Sequence, residues 1–231
     1  MSSTVPSTVP STRPSSVSAS SRIHPTAIIE NGVRIGPGTS VWDNVHIRFD
    51  TRIGNQCIIG EKSYLAYNVK VGDRVKINAN VYIPTGVTIG DGVMISAGTV
   101  LTNDRFPRAT TPDLKELRPS DPDEETLETT ICEGATIGAN CTIACGITIG
   151  RFAMVGMGSC LTRNVPDFHL FYGHPARPAG LVCRCGKPTF QFEDHITPRY
   201  ADNITCACGL GYEIVDGIAR EKIRPQQSIG A

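Results

Sequence analysis

Residues 77–101 read INANVYIPTGVTIGDGVMISAGTVL, and within them Ile77, Ile83, Ile89, Ile95 and Leu101 stand six residues apart. The register runs back through Val71, Leu65, Ile59, Ile53, Ile47, Val41, Ile35 and Ile29 to Ile23 without a miss. It resumes at Ile131, Ile137, Ile143, Ile149, Val155 and Leu161. Four residues after each comes a small or β-branched side chain, as at Val33, Val69, Val81 and Val93. Glycine recurs one residue after (Gly36, Gly54, Gly72, Gly90), and Gly or Asn three after (Gly38, Asn44, Asn68, Gly98). A six-residue step is too short for a strand and an ordinary loop, but it fits a short strand and a tight corner. Gly and Asn tolerate the positive φ that such corners need. Three sides make one coil, so the pattern predicts a parallel β-helix in which Ile23, Val41, Ile59, Ile77 and Ile95 stack. No apolar period near that of an α-helix competes with it.

The rest of the chain divides around this block. Residues 1–22 hold nine Ser and no acid, too little apolar surface to offset ordering entropy, and are expected to be a disordered tail. Their acid-free, Arg-containing composition also fits a transit peptide. The β-helix is expected over 23–165, interrupted by a polar, Pro-rich and then acidic loop at 102–130, a length that implies either function or disorder. Residues 166–182, with Phe168, Leu170, Phe171 and Tyr172, are expected to cover the open end of the solenoid. The segment 183–231 contains Cys183, Cys185, Cys206 and Cys208, each pair followed by Gly. Four thiolates in two knuckles suit a structural, tetrahedral Zn²⁺, although the usual spacing has two intervening residues where each pair here has one. The alternative is a metal-free small ribbon, with Tyr212–Val215 as one of its strands. Lys plus Arg (22) balance Asp plus Glu (22), which argues against nucleic acid or an anionic membrane as partner. With no apolar run long enough to span a bilayer, a cytoplasmic protein is expected.

The Ile-Gly hexads, the looped-out turn and the closing Gly173-His-Pro-Ala-Arg177 resemble the hexapeptide-repeat acyltransferases. Five further segments are similar to the nucleotide-sugar 3-N-acetyltransferases among them: 23–27 (IHPTA), 75–80 (VKINAN), 102–108 (TNDRFPR), 134–140 (GATIGAN) and 182–186 (VCRCG). This resemblance covers about residues 23–182. It implies a left-handed coil, a homotrimer with acetyl-CoA lying between neighbouring solenoids, and transfer of acetyl to the amino group of a UDP- or dTDP-linked 3-amino sugar or sugar acid. At His174 the sequence departs from the family, where Asn is more usual.

Candidate residues follow from the chemistry. Asn80 aligns with the family's Asn that accepts a hydrogen bond from the acceptor amine, although on spacing alone it is an ordinary corner residue. His46 is one of only two histidines in the solenoid. It is the candidate base if a hydroxyl is acetylated instead, an alcohol being a poor nucleophile until deprotonated. His24, ahead of Pro25, reads as structural. Asn103, Asp104, Arg105 and Arg108 open the loop as candidate substrate-binding residues, and the guanidinium of Arg105 or Arg108 suits a sugar carboxylate or nucleotide phosphate. Ser96, Ala97 and Gly98 form a small-residue corner whose backbone N–H groups suit a thioester carbonyl. Arg163 and Arg177 match basic family positions near CoA. A γ-type carbonic anhydrase on the same fold needs three His ligands and finds only two here. A scaffold without catalysis is the remaining alternative.

Overall fold

Two-residue strands spaced by four-residue corners wind residues 15–165 into a triangular β-solenoid in this computed structural model, which describes residues 15–222. The first face stacks Ser16–Val17, Arg34–Ile35, Arg52–Ile53, Lys70–Val71, Val87–Ile89, Thr129–Ile131 and Thr148–Ile149. The second runs from Arg22–Ile23 to Met154–Val155, and the third from Ile28–Ile29 to Cys160–Leu161. All pairings within the coils are parallel, and outside the pairs that straddle the excursion each residue meets the one eighteen positions on, as Ile59 meets Ile77 and Ile77 meets Ile95. The last residue of each strand points inward, so the core is an unbroken stack that includes Ile47, Ile59, Leu65, Ile77, Ile95, Ile137 and Ile149, all without solvent exposure.

The solenoid begins earlier than expected. Ser16–Val17 pairs with Arg34–Ile35, because Val17 sits one hexad before Ile23 and keeps the same inward register. The part of the expected tail at residues 1–14 lies outside the described residues. The corners also accept more than Gly and Asn. Lys62, Arg74, Gln56, Asp50 and Phe152 all adopt φ between 53° and 58°. A left-handed residue with a Cβ costs roughly 1–2 kcal/mol. A coil-to-coil bond offsets that cost, as in Lys62 N–H to Asp43 C=O at 3.0 Å and Arg74 N–H to Asn55 C=O at 2.8 Å.

Buried hydroxyls replace valine at several inward corner positions. Thr51 Oγ1 donates to the Ala66 carbonyl at 2.7 Å and accepts from Val69 N–H at 3.3 Å. Thr39 and Ser63 repeat the arrangement two hexads to either side, joining Gly54 to Cys57 and Asn78 to Val81. Each is a buried polar group fully satisfied by backbone.

The end of the solenoid is closed by continuation of the second face. His169–Gly173 adds to Met154–Val155 in parallel, then Ala176–Val182 and Pro188–Gln191 follow antiparallel. Tyr200–Thr205, Gly211–Val215 and Ile218–Lys222 form a separate antiparallel sheet. A second core holds it against the cap, built from Phe168, Leu181, Phe192, Ile204, Tyr212 and Ile214. Among the described residues there is no helix, and so none long and apolar enough to cross a membrane.

Candidate active site

The excursion leaves the third face after Leu101 and rejoins the first at Thr129. Its neck is zipped. Leu127 N–H donates to Asn103 C=O at 2.8 Å, Arg105 N–H to Glu125 C=O at 3.0 Å, and Thr126 Oγ1 to Asp104 Oδ1 at 3.2 Å. Further out, Arg118 pairs with Asp123 at 3.3 Å, and a bridge joins Thr110 to Leu117. The long loop is therefore an ordered arm.

Asn103, Asp104 and Arg108 come together around one small cavity of about 90 Å³, facing Tyr67, Arg118 and Asp123. Arg105 does not join them: its guanidinium lies over the Phe106 ring at 5.2 Å, outside the cavity lining. Tyr67 stacks on Phe49 at 5.0 Å, and burial raises its phenol pKa, with the charge of Asp121 adding to the effect.

Against the first face the arm roofs a wider cleft of about 870 Å³, lined by Arg52, Lys70, Thr88, Asn68, Pro122 and Glu128 among others. That is a volume suited to a small-molecule ligand, which the 90 Å³ cavity alone is not. Arg34, Arg52 and Lys70 stand in direct register on three adjacent strands. None of them forms a side-chain ion pair among the described residues. Like charges opposite one another repel, so this face favours an anion. The ladder was legible as a basic residue before each inward one at eighteen-residue spacing, but the periodic reading attended to the inward positions.

His46 lies on the third face, its Nε2 2.8 Å from Glu30 Oε1. The same carboxylate makes a 2.6 Å ion pair with Arg48 and accepts from Phe49 N–H at 3.1 Å. Burial pushes the Glu30 pKa up, yet the bonds from Arg48, His46 and Phe49 together hold it below the ordinary value. Arg48 also donates to Tyr64 Oη at 3.0 Å. His46 meets the Tyr64 ring edge-on at 5.4 Å, and Tyr64 stacks on Tyr82 at 5.3 Å. Asn80 sits two residues before Tyr82, exposed at the corner between the second and third faces with φ 56°. His46 and Asn80 thus flank one aromatic strip without touching.

At the Ser96–Gly98 corner, coil stacking takes two of the three backbone donors. Ser96 N–H is taken by Ile137 C=O at 2.9 Å and Gly98 N–H by Ala79 C=O at 3.0 Å. Coil stacking consumes both donors, which leaves Ala97 N–H to meet a carbonyl. Arg163 is exposed in the turn after Cys160–Leu161, and Arg177 is half-buried in the closing hairpin, donating to Ala176 C=O at 3.0 Å. His24 bonds locally to Thr26 at 2.9 Å, in keeping with a structural role.

The four C-terminal cysteines converge, with all four sulfurs within 4.8 Å of one another. Burial pushes the Cys183 thiol up to about 12, while the Leu210 amide and the neighbouring thiols bring Cys208 down to about 7. Sequence inspection also passed over His169. It is fully buried, its Nδ1 bonded to Asp167 C=O at 2.9 Å and its Nε2 without a partner.

Residues 50–85 and 68–103 match the bacterial transferase hexapeptide (six repeats) family, and 129–163 match the hexapeptide repeat of succinyl-transferase. Over 96 residues the chain is 43% identical to the dTDP-3-amino-3,6-dideoxy-alpha-D-galactopyranose 3-N-acetyltransferase of Aneurinibacillus thermoaerophilus, covering 41% of this chain and 45% of that protein. Over 77 residues it is 35% identical to serine acetyltransferase 4 of Arabidopsis thaliana, covering 33% and 21%. The chain thus spans less than half the length of these curated relatives. Among solved structures, the N-acyltransferase AntD from Bacillus cereus in complex with dTDP and 3-hydroxybutyryl-CoA aligns with a TM-score of 0.49 at 20% identity, over 74% of this chain and 84% of that one. LpxA from Acinetobacter baumannii aligns with a TM-score of 0.48 at 16% identity, over 72% and 70%.

Proposed function

We propose that this parallel β-helix, whose residues 50–103 and 129–163 match hexapeptide-repeat transferase models, is an acetyl-CoA-dependent N-acetyltransferase of a dTDP- or UDP-linked 3-amino sugar or sugar acid, with the left-handed coil of that family. The observation that carries this reading is the 43% identity over 96 residues to an enzyme whose name specifies that reaction. The ordered arm and the cleft beneath it support it, since they offer cations to a diphosphate and polar groups to a sugar.

In this reading Arg52 and Lys70 take the nucleotide's phosphates, and Asn103, Asp104 and Arg108 bind the outer groups of the substrate. The Asn80 amide oxygen accepts a hydrogen bond from the neutral sugar amine. The amine nitrogen attacks the thioester carbon, the C–S bond breaks, and the proton lost from nitrogen ends on the departing CoA thiol. Ala97 N–H polarises the carbonyl, while Arg163 and Arg177 hold the CoA. Three copies pack through the third face, where Ile28, Tyr82 and Val100 are exposed side by side with His46 and Tyr64. The reaction takes place in the cytoplasm.

One observation favours a second reading. The His46–Glu30 pair has the geometry of an oriented general base, which O-acetylation of a sugar hydroxyl requires. The two are separated by measuring CoA thiol release with dTDP- and UDP-linked 3-amino sugars and their 3-hydroxy counterparts, and by weighing the products. An acetylated amino sugar, hydroxy analogues untouched, and a greater loss in Asn80→Ala than in His46→Ala are expected. Acetylation confined to hydroxyls and abolished by His46→Ala would overturn the amine reading.

A further inference from the structure

The two cysteine pairs sit in backbone turns that repeat each other bond for bond. In the first, Cys183 N–H donates to Lys187 C=O at 2.9 Å and Gly186 N–H to Cys183 C=O at 2.7 Å. In the second, Cys206 N–H donates to Leu210 C=O at 2.9 Å and Gly209 N–H to Cys206 C=O at 2.7 Å. Gly186 and Gly209 close the turns with φ of 86° and 88°. Nineteen residues of unrelated sequence, 187–205, separate two loops of one shape that face each other.

Between them the sulfurs are spaced for an ion. Cys183 and Cys208 are 3.5 Å apart and Cys185 and Cys206 3.6 Å apart. A tetrahedral Zn²⁺ with bonds of about 2.3 Å sets its sulfurs about 3.8 Å apart, close to these values. A disulfide would need about 2.05 Å. The surroundings supply donors to sulfur. Tyr212, fully buried, gives its hydroxyl hydrogen to Cys183 Sγ at 3.1 Å while accepting from Arg184 N–H at 3.0 Å. A core tyrosine aimed at a sulfur, itself fixed by the loop it serves, is the kind of support that orients a metal ligand.

We propose that Cys183, Cys185, Cys206 and Cys208 bind one structural Zn²⁺ that joins the C-terminal sheet to the end of the solenoid. Cys183 and Cys185 follow directly on Ala176–Val182, which belongs to the sheet of the second face. Cys206 and Cys208 lie in the turn between Tyr200–Thr205 and Gly211–Val215 of the separate sheet. The ion therefore spans two sheets that share no backbone ladder. Four sulfur ligands leave no open position, so the metal takes no part in acyl transfer. On binding, any thiol protons go to solvent and four S–Zn bonds form, with no change of oxidation state.

The test uses the full chain. Element analysis after exhaustive dialysis is expected to find one zinc per chain, and a mercurial that titrates four thiols is expected to release it. Cys185→Ser/Cys208→Ser alters only the two exposed sulfurs and is expected to abolish zinc binding. Limited proteolysis with a strong chelator present should cut within 183–222 and spare 15–182. Should the double variant fail to fold, the wild-type chain exchanged with Co²⁺ is expected to show the sulfur-to-cobalt charge-transfer bands of a tetrathiolate site. A reduced chain that takes up no added Zn²⁺, one iron in place of zinc, disulfides in the freshly purified protein, or zinc retained by the variant would each overturn the proposal. Metal content is read without any acyl acceptor, so it stands or falls apart from the transferase reading.

Discussion

In the solenoid, Ile59, Ile77, Ile95 and Ile137 occupy one environment repeated coil after coil, whereas in the second, C-terminal core Tyr212, Ile214, Phe192 and Leu181 each have an environment found once. The first region draws its stability from neighbouring coils and is close to one-dimensional. The second surrounds one tyrosine and one cluster of sulfurs. The same chain thus holds a region in which one residue's role can be read from its neighbour eighteen positions away, and another in which it cannot.

The largest expected effect tests whether the two regions are energetically separate. Ile95→Ala removes a side chain with no exposure from the middle of the stack and should cost about 2–5 kcal/mol. That loss should appear in the solenoid's urea transition, while Ile214→Ala should weaken only the C-terminal sheet. If both variants shift a single common transition equally, the division is wrong.

A smaller effect sharpens the claim of repetition. Thr51→Val leaves Ala66 C=O and Val69 N–H without their buried partner and should cost about 1–3 kcal/mol. Thr39→Val, two hexads away at another corner, should cost the same to within about 0.5 kcal/mol, comparable to the scatter between independent sites. Unequal costs from denaturant midpoints would show that the coils are not equivalent.

The smallest effect belongs to the junction of the two regions. Burial lowers the His169 pKa below its ordinary 6.5, so the folded protein keeps it neutral where the unfolded chain would protonate it. Its contribution is complete above pH 6.5 and declines as pH falls from there toward the native pKa, by at most about 1.4 kcal/mol per pH unit. Denaturant midpoints at pH 7 and 5.5 should therefore fall more for the wild type than for His169→Phe. Equal falls would remove His169 as the cause.

How much was legible follows the same division. The inward residues, the corner glycines and the eighteen-residue pairing were written in the spacing of Ile77 to Leu101, because every coil presents the same constraint. Val17 was legible by the same rule, and was hidden only by the serines around it. Arg105 and Arg108 could not be told apart in sequence: which of them faces the cavity depends on Phe106 and on an arm that occurs once. His169 carries no local signal, since the ring that covers it from outside its own strand, Phe192, comes from beyond the closing hairpin. The four cysteines were visible as pairs, but that their turns mirror each other is a property of backbone bonds alone.

The arm has a consequence for how such a chain changes over generations. Val100 pairs with Thr142, 42 positions on, where Tyr82 pairs with Tyr64 only 18 away, so the excursion inserts 24 residues and returns the strand to its old register. Its roots at Asn103 and Leu127 are tied to each other. Everything distal to that knot is free to be lengthened, shortened or exchanged by recombination without disturbing a single coil. Selection can thus act on the proposed binding surface while the load-carrying stack is inherited unaltered.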